Sequence, residues 1–505
     1  MVTSVTQART QADAPPGGLL RMEEAIAALK TTRPTFYRWL RDGKIKAFKV
    51  GRQWRFRKDD IERFLQGRQP RIDLPVSPGP LVAELKRKLR DLGRKDTVER
   101  FQNQDDPLAL AACLLFRLAS AQRASDIHMG PHFDGKEHSA LIRNRIDGVL
   151  SEAAKLDLRL LPALVERFKT LGGMNPAETK LPQDGRILIR DGDGRDLDIR
   201  VSTVPTIMGE SVTCRLLVPG EISFDIKRFG YAERDEKCLV ESARLPHGLV
   251  IIAGPTGCGK TTTLYSCLSM AAGPGVKTMT VEDPVEYMLP WMVQIGLHES
   301  AGLSFERAIR SILRSDPDVV MVGEIRNSEI ANLCVQVALT GHLVYTTLHC
   351  TSAVQSLGRM VDIGVPPFVL ADAASLVVAQ LLVRRLCPKC SKPAKLTREE
   401  QLLVDRLAAE GGISPDTLPG NYRQAVGCKD CGRQGYRGRS VIAEALQIGP
   451  AVSKALRAGA PAEELRRAAI ADGMTTMAAD GARKAAEGVT TLEEVRRVLS
   501  LGAVG

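Results

Sequence analysis

Apolar residues along the chain follow two patterns, short unbroken runs and helical repeats, and their alternation outlines the fold. Between residues 221 and 385, short apolar runs such as 249–253 and 319–322 alternate with stretches of helical periodicity. Unbroken apolar runs are typical of strands that are buried on both faces. This region therefore predicts an α/β domain with a mostly parallel sheet covered by helices.

The N-terminal part carries shorter elements. Residues 1–17 are polar and are predicted to be disordered, and residues 69–106 read as a Pro-rich linker followed by a charged helix. Between them, residues 18–68 predict a compact unit with cap and turn signals at its joints. Its predicted elements are a helix over 22–30, a second helix over 36–41, a hairpin over 46–56 that turns at Gly51-Arg52, and a closing helix.

The remaining segments complete the predicted domain order. Residues 107–220 combine an apolar helix with alternating strands joined at Asp-Gly pairs, which favour hairpin turns and so predict an α+β domain. Residues 386–445 contain two cysteine pairs. Residues 446–505 predict a helical C-terminal region.

Charge is concentrated at one end of the chain. The net charge is +11, and residues 1–70 hold 15 of the 70 Lys and Arg but 7 of the 59 Asp and Glu. The N-terminal segment is therefore expected to bind an acidic partner, which would be DNA, acidic lipid or an acidic protein. Aromatic residues make up 4% of the chain, which argues against stacking platforms for single-stranded nucleic acid.

Neither a signal peptide nor a transmembrane helix is predicted. The first 18 residues lack an apolar core, and the longest apolar candidate, 365–383, opens with two prolines and is interrupted by Asp372. A cytoplasmic chain is expected. Eleven cysteines in a reducing compartment favour metal ligands and core packing over disulfides.

Residues 254–261 fit the phosphate-loop pattern G-x-x-x-x-G-K-[ST], between an apolar strand and a helix. Glycines let backbone N–H groups point at phosphate oxygens, and the helix N-terminus adds partial positive charge. Lys260 is expected to reach the β- and γ-phosphates and Thr261 to ligate Mg²⁺. A chance Gly-rich turn is the alternative, and the full motif disfavours it. The predicted ATP-binding residues are Gly254, Pro255, Thr256, Gly257, Cys258, Gly259, Lys260, Thr261 and Thr262.

Polar residues follow several of the other apolar runs, where a parallel sheet places its ligands. Glu282 and Glu286 follow one run and predict a site for Mg²⁺ or for the attacking water, with helix capping as the alternative. Glu324 follows the next run as the Walker B acid and is predicted to polarise water. His342 and His349 flank a third run and are predicted to sense the γ-phosphate or bridge to the next subunit, the alternative being structural side chains.

Four arginines are candidates for stabilising a transferring phosphoryl group, a task that often falls to arginine from another domain or subunit. Arg310 and Arg314 lie four apart on one helix face, and Arg200 and Arg215 lie on strands of the preceding domain. The alternative for each is a solvated surface position.

The cysteine pairs predict a metal site. Cys387 and Cys390 form one C-x-x-C pair and Cys428 and Cys431 another. Four thiolates favour a closed, structural Zn²⁺ site, and an inserted helix would explain the long spacing between the pairs. A redox-active pair is the alternative.

The unit at 18–68 resembles the winged helix-turn-helix of the excisionase and MerR type. In that family the second helix enters the major groove and the basic wing contacts phosphate. The alternative is a protein-docking module with the same fold. The residues predicted to contact DNA are Thr35, Tyr37, Arg38, Arg41, Lys49, Arg52 and Arg55.

Residues 120–445 resemble the ATPases of type II secretion and type IV pilus assembly. The resemblance rests on motifs that occur in the family's order. They are the opening signature at 124–128, the segments at 182–186, 200–203 and 209–217, the phosphate loop, the aspartate box at 282–286, the Walker B segment at 316–326 and the histidine box at 340–349.

The resemblance implies a fold and a mechanism. The fold would be a RecA-like P-loop ATPase domain preceded by an α+β, PAS-like domain and the helix-turn-helix, with a zinc-binding insertion and a helical C-terminus. Mg-ATP hydrolysis in a homohexameric ring would rotate one domain against the next and drive pseudopilus or pilus assembly through an inner-membrane platform protein, at the cytoplasmic face of the plasma membrane. The implied catalytic positions are Glu324, Glu286, Glu282, His342, His349, Arg200, Arg215, Arg310 and Arg314.

The N-terminal unit departs from this family pattern. The family's usual first domain, which docks onto the membrane partner, is not recognisable, and the helix-turn-helix stands in its place. This leaves a second hypothesis, a DNA-binding regulatory ATPase that uses residues 18–68 to contact DNA.

Overall fold

A computed structural model describes residues 19–41, 45, 47–50, 53–65, 76–94, 106–190, 196–217, 224–298 and 301–500. The predicted disorder of 1–17, the hairpin turn at Gly51-Arg52 and the side chain of Arg41 lie outside these residues. The chain divides into two compact units. One runs to Arg145 and resumes at Leu150–Leu217, and the other contains Ile146–Val149 and the residues after 217.

The first unit begins with a small three-stranded sheet and three helices. Phe36 and Phe56 meet edge to face, with ring centroids 5.0 Å apart, in a core that also holds Ala25, Ile45 and Ile61. The second helix begins three residues earlier than the sequence predicts, and a hairpin lies where the sequence predicts the wing. The elements are β1 Leu19–Leu20, α1 Met22–Ala28, α2 Arg33–Arg41, β2 Phe48–Val50, β3 Gln53–Arg57 and α3 Lys58–Leu65.

The rest of the first unit is an α+β arrangement. Six strands form one sheet in the order β6-β5-β4-β9-β8-β7, in which β4, β9, β8 and β7 pair antiparallel. The rings of Phe116 and Phe168 pack 5.2 Å apart between two helices. The PAS-like label stays a prediction. The elements are α4 Gly79–Asp91, α5 Pro107–Ala121, β4 Ala124–Phe133, β5 His138–Ile146, β6 Val149–Asp157, α6 Leu161–Leu171, β7 Gln183–Arg190, β8 Asp196–Thr206 and β9 Gly209–Leu217.

A seven-stranded sheet forms the centre of the second unit, in the order β12-β11-β13-β14-β10-β15-β18. All neighbours pair parallel except β15 and β18, which pair antiparallel. The elements up to the cysteine pairs are α7 Glu233–Ser242, β10 Gly248–Ala253, α8 Lys260–Ala271, β11 Thr278–Glu282, β12 Met292–Gly296, α9 Phe305–Ile312, β13 Val319–Val322, α10 Ser328–Leu339, β14 Leu343–Leu348, α11 Ala353–Asp362, α12 Pro367–Ala373 and β15 Ala374–Leu386.

The chain then leaves the sheet and returns to it. A two-stranded ribbon and one helix lie between the cysteine pairs, β18 re-enters the sheet, and four helices close the chain. These elements are β16 Lys392–Pro393, α13 Arg398–Glu410, β17 Arg423–Gln424, β18 Tyr436–Gln447, α14 Pro450–Arg457, α15 Ala462–Ala471, α16 Met477–Ala486 and α17 Leu492–Leu499.

The unbroken apolar runs have a structural reason. Leu249 and Ile251 of β10 belong to the core on one face of the sheet, and Val250 and Ile252 belong to the core on the other face. Because helices cover both faces, every residue of this strand must be apolar. The predicted α/β class with a mostly parallel sheet is confirmed.

The apolar stretch 365–383 is divided between α12 and β15, a strand inside the seven-stranded sheet. Within the described part of the chain, no helix combines the length and the apolar character that crossing a bilayer requires.

One buried carboxylate joins β18 to two helices. Glu444 is 6% exposed and accepts the backbone N–H of Ala353 at 2.6 Å and that of Met477 at 3.1 Å. These are the first residues of α11 and α16, so a single side chain satisfies one N–H at each helix start.

Candidate nucleotide-binding site

A tight loop over residues 254–259 connects β10 to α8. Gly254 has a φ of 150°, and a Cβ there would lie 2.5 Å from Cys258 Sγ and 2.6 Å from the backbone oxygen of Gln380. Gly259, with a φ of 89°, precedes α8 and offers no side-chain acceptor to it. The first N–H groups of the helix are therefore available to an anion.

Lys260 folds back over this loop. Its Nζ donates to the backbone oxygens of Gly254 at 2.8 Å and Pro255 at 3.1 Å. Burial lowers the pKa of Lys260, while the neighbouring Cys258 and Glu324 oppose that shift. Glu324 follows β13, which only β14 separates from β10 in the parallel part of the sheet, so the Walker B acid and the loop lysine lie at the same edge of the sheet.

Glu324, two residues after the end of β13, lies in a charged cluster. Its carboxylate accepts a hydrogen bond from Arg326 Nε and lies 3.2 Å from His349 Nε2. Arg326 also donates to Asp283 Oδ2 at 3.1 Å and lies over the ring of Phe305. Burial raises the pKa of Glu324, but hydrogen bonds from Arg326 and His349 outweigh it and leave the pKa below its usual range. The carboxylate is ionised at neutral pH, as a group that accepts a proton or holds metal-bound water must be.

The aspartate-box acids contact Tyr265 of α8. Glu282 is 4% exposed and accepts hydrogen bonds from Tyr265, from Thr280 at 2.6 Å and from Gln294 at 3.2 Å. The backbone N–H of Glu286 donates to the same tyrosine hydroxyl at 3.3 Å. Burial and the bond to Glu282 raise the pKa of Tyr265, so its hydroxyl stays a donor. Both oxygens of Glu282 are engaged within the protein, and its predicted role on metal or water would require these bonds to exchange.

The two histidines lie at opposite ends of β14. His349 follows the carboxyl end, at the edge where β10 leads into the loop, and contacts Glu324. His342 precedes the strand, with Nδ1 3.1 Å from both the Val337 oxygen and Thr340 Oγ1. Six residues of strand separate them by about 20 Å. Of the two, His349 lies at the edge of the sheet where the loop begins, and His342 lies at the opposite edge.

Arg310 and Arg314 lie on and after α9 without a contact to the loop in the described residues. Arg310 donates to Glu329 Oε1 at 3.2 Å, and Arg314 donates to the backbone oxygen of Arg310 at 2.9 Å. Both are surface contacts, which leaves the guanidinium groups accessible to a partner.

Arg200 and Arg215 face each other across β8 and β9 in the first unit. Arg215 donates to Asp126 Oδ1 at 3.1 Å, and Arg186 lies opposite Arg200 on β7 and pairs with Asp198 at 2.6 Å. Like charges directly opposite each other destabilise a sheet, so this row of arginines requires nearby anions.

The four predicted metal ligands come together. The sulfurs of Cys387, Cys390, Cys428 and Cys431 all lie within 4.8 Å of one another. The closest pairs are 3.8 and 3.9 Å apart, too far for a disulfide. The backbone N–H groups of Cys428 and Gly435 donate to Cys431 Sγ at 3.1 and 3.3 Å, as expected for a sulfur that carries negative charge. This donor set fits Zn²⁺, and α13 is the inserted helix that the spacing predicts.

The predicted nucleic-acid residues whose side chains the structure describes lie on α2 and on the hairpin. Tyr37 and Arg38 are exposed on α2, and Thr35 Oγ1 lies 3.0 Å from the hydroxyl of Thr32 before the helix. Lys49 lies over the ring of Trp54 at 5.3 Å. Arg55, on the second strand of the hairpin, donates to Gln53 Oε1 at 2.7 Å. Arg52 lies outside the described residues.

Comparison with known proteins decides the family. A family profile described as "Type II/IV secretion system protein" matches residues 102–497. The chain belongs to this family. This confirms the predicted secretion and pilus ATPase family and the ATPase class. A second profile, "Helix-turn-helix domain", matches residues 19–69.

Curated relatives of the secretion family cover most of the chain. The Myxococcus xanthus "Type IV pilus assembly ATPase PilB" is 41% identical over 77% of this chain and 68% of its own length. The Pseudomonas aeruginosa "Type II secretion system protein E" is 41% identical over 80% of this chain and 78% of its own length. Both relatives align with equal identity, so identity does not separate the two systems.

Two solved structures support the fold. The Legionella pneumophila ATPase DotB superposes with a TM-score of 0.52 at 18% identity, covering 77% of this chain and 95% of its own. The Yersinia pseudotuberculosis ATPase DotB gives 0.53 at 18% identity, covering 76% and 91%. At this identity the likeness concerns the fold alone.

Three contributors to this secretion-family site were missed by sequence reasoning. Arg326 holds Glu324, Tyr265 joins the aspartate-box acids to α8, and Gln380 contacts the loop backbone. The sequence does contain a signal for Arg326, because this residue lies two positions after Glu324 in the Walker B motif. Gln380 had a weaker one, a single amide in an apolar run.

Proposed function

We propose that the protein is the ATP-hydrolysing motor of a type II secretion or type IV pilus assembly system. The observation that carries the proposal is the phosphate loop, with Glu324 at the same edge of the sheet and held there by Arg326 and His349. The names of the relatives support the choice of system.

Different groups of the protein bind the phosphates, accept the proton and hold the catalytic carboxylate during hydrolysis. N–H groups of the loop and of the first turn of α8 bind the phosphates, and Lys260 leaves the loop carbonyls to contact the β- and γ-phosphates. Ionised Glu324 orients the attacking water and accepts its proton as the bond from the γ-phosphorus to the leaving ADP oxygen breaks. His349 and Arg326 keep that carboxylate in place.

Thr261 and the acids at the strand ends are the residues that would hold Mg²⁺. The Thr261 hydroxyl is exposed at the start of α8, and Glu324 and Glu286 follow neighbouring strands. When bound, the ion supplies positive charge that offsets the negative charge of the phosphates.

The arginines of the first unit provide the remaining charge in this proposal. Arg200 and Arg215 would approach the nucleotide when the domains close, and Arg310 and Arg314 would act on it from α9 or from a neighbouring subunit. Such closure in a homohexamer would rotate one domain against the next and move an inner-membrane platform protein. The four cysteines would hold one structural Zn²⁺.

Two substitutions test the motor's chemistry. Lys260→Ala and Glu324→Gln are each expected to lower the ATP turnover rate at least a hundredfold, because one removes phosphate contact and the other the proton acceptor. Only Lys260→Ala is expected to weaken ATP binding strongly. Glu241→Gln, an exposed acid on α7, is the control and should keep parental turnover. Persistent turnover in Glu324→Gln would refute its role.

A second function is favoured by one observation, the match of residues 19–69 to a helix-turn-helix profile in the segment with the greatest excess of positive charge. DNA contact through Arg38, Lys49 and Arg55 is the activity this predicts. It would add a DNA-linked role to the motor rather than replace it.

A further inference from the structure

Gln380 is a fully buried amide on β15 that contacts the phosphate loop from the sheet. Its Nε2 donates to the backbone oxygen of Cys258 at 2.8 Å. Its Oε1 accepts from the hydroxyls of Tyr231 at 2.6 Å and Thr263 at 3.0 Å. A backbone carbonyl can only accept, so these partners fix which end of the amide faces the loop.

This contact determines how one peptide of the loop is oriented. Cys258 C=O and Gly259 N–H belong to the same planar trans peptide and point in opposite directions. While Gln380 holds the carbonyl toward the sheet, the Gly259 N–H points away from the sheet, toward the space that phosphate enters. Gly257 and Gly259, with φ of 78° and 89°, resist rotation of the intervening backbone less than other residues would. Gln380 adds a restraint on this peptide from outside the loop.

Two hydroxyls hold the amide in that orientation. Thr263 lies one turn into α8, and its hydroxyl is 2.8 Å from that of Tyr231. Two residues before Tyr231, the Phe229 oxygen accepts the N–H of Val441 on β18 at 2.9 Å, which ties this segment of the chain to the sheet. All three network side chains are buried, at 7% exposure or less. Loss of one partner would leave a buried polar group of this network without a hydrogen bond, which is costly.

We infer that Gln380 is a positioning residue for nucleotide binding. It keeps the Cys258–Gly259 peptide in the phosphate-binding orientation, and Tyr231 and Thr263 keep Gln380 in place. The inference rests on the proposed ATPase function, because it concerns how the loop of that site is held.

The test separates this role from a general loss of stability. Gln380→Met keeps the length and most of the volume of the side chain but has no amide donor. Because loop N–H groups bind phosphate in both ground and transition states, the KM for ATP should rise about tenfold while kcat changes less than threefold. Equilibrium binding of a non-hydrolysable ATP analogue should weaken to the same degree. A merely structural role would instead lower kcat through loss of folded protein and leave KM unchanged.

A matched pair of tyrosine variants completes the experiment. Tyr231→Phe removes the hydroxyl that orients Gln380 and should raise KM about threefold. Tyr345→Phe removes another buried hydroxyl of the same unit, 3.3 Å from that of Ser242, and should leave KM at the parental value. If Gln380→Met does not fold, this pair decides the question alone.

The two possible failures are distinct. A parent protein that neither binds the analogue nor hydrolyses ATP would overturn the proposed function. A parent that does both, with KM within twofold of parental in Gln380→Met and in Tyr231→Phe, would overturn the positioning role of Gln380.

Discussion

Asp235 on α7 is a buried carboxyl group with incomplete pairing. It is 0% exposed, Oδ1 lies 3.4 Å from Arg234, and among the described residues Oδ2 has no hydrogen-bond partner. Burial and the nearby Asp480 raise the pKa of Asp235 to about 7, against the opposing charges of Arg234 and Lys484. The folded state therefore holds a proton there that the unfolded chain releases near its usual pKa.

This shift predicts a pH-dependent stability. Because the folded pKa lies above the unfolded value, the neutral carboxyl favours the folded state at low pH, and that advantage falls as pH rises through 7. Linkage gives a loss of about 1 kcal/mol in unfolding free energy between pH 6 and pH 8 from this group. Asp235→Asn should flatten that part of the dependence, measured as urea midpoints at the two pH values. Glu233→Gln on the same helix is the control, and an unchanged slope in Asp235→Asn would contradict the assignment.

At the scale of single residues, the sequence predicts those whose role follows from a short motif around them. The loop glycines, Lys260 and Glu324 follow from motif and strand end, because the backbone after a buried strand must meet the ligand edge of the sheet. Asp235 and Gln380 could not be found in this way. Their environments are built from segments more than a hundred residues apart in the chain, such as Tyr231 and Gln380.

Glu444 shows how one side chain can hold an element. It joins the starts of α11 and α16 to β18, and α11 follows directly on the loop that carries His349. Loss of this carboxylate would therefore affect the His349 loop indirectly. It would destabilise the start of α11, and it would remove no direct contact to the site.

Glu444→Gln should destabilise the second unit by about 2 kcal/mol, because an amide can accept only one of the two N–H groups and leaves the other buried and unpaired. The measurement is the shift in the urea unfolding midpoint. Glu410→Gln, an exposed position at the end of α13, should leave the midpoint unchanged. Equal midpoints for both variants would show that the two helix starts do not depend on Glu444.

The cysteine cluster makes its own prediction. The parent should contain one zinc per chain, and replacing Cys428 and Cys431 together by serine should remove it, since two thiolates cannot close the site. Metal content is measured on purified protein. Cys350→Ser, a half-buried cysteine elsewhere in the unit, is the control. Undiminished zinc in the double variant would reject the site.

The sequence predicts the individual helices and strands more completely than it predicts which of them lie side by side. The alternation of strands and helices, the hairpins and the helix between the cysteine pairs all follow from periodicity and spacing. The return of β18 beside β15 does not, because an antiparallel partner 60 residues later leaves no local pattern. The cap that Glu444 provides depends on that return.

At the scale of the whole molecule, the open question is what the N-terminal unit binds. If it binds DNA, Arg38→Ala combined with Arg55→Ala should reduce retention on duplex DNA, and raising salt should weaken the parent steeply, because basic side chains release counterions from phosphate. Lys237→Ala, an exposed lysine on α7, is the control. Absent parental retention, or retention unchanged in the double variant, would favour a protein partner for residues 19–69.

The C-terminal helices are hydrogen-bonded to β15, which carries Gln380 and lies beside the loop-bearing strand β10, and to its neighbour β18. Asp480 accepts the Ala443 N–H at 3.0 Å, Arg384 of β15 pairs with Glu494 at 2.8 Å, and Thr490 donates to the Arg384 oxygen at 2.8 Å. Proteolytic removal of the helices after residue 460 would therefore do more than shorten the chain. It would remove these contacts from β15, the strand that carries Gln380, and so weaken the ATP site without changing a nucleotide-binding residue.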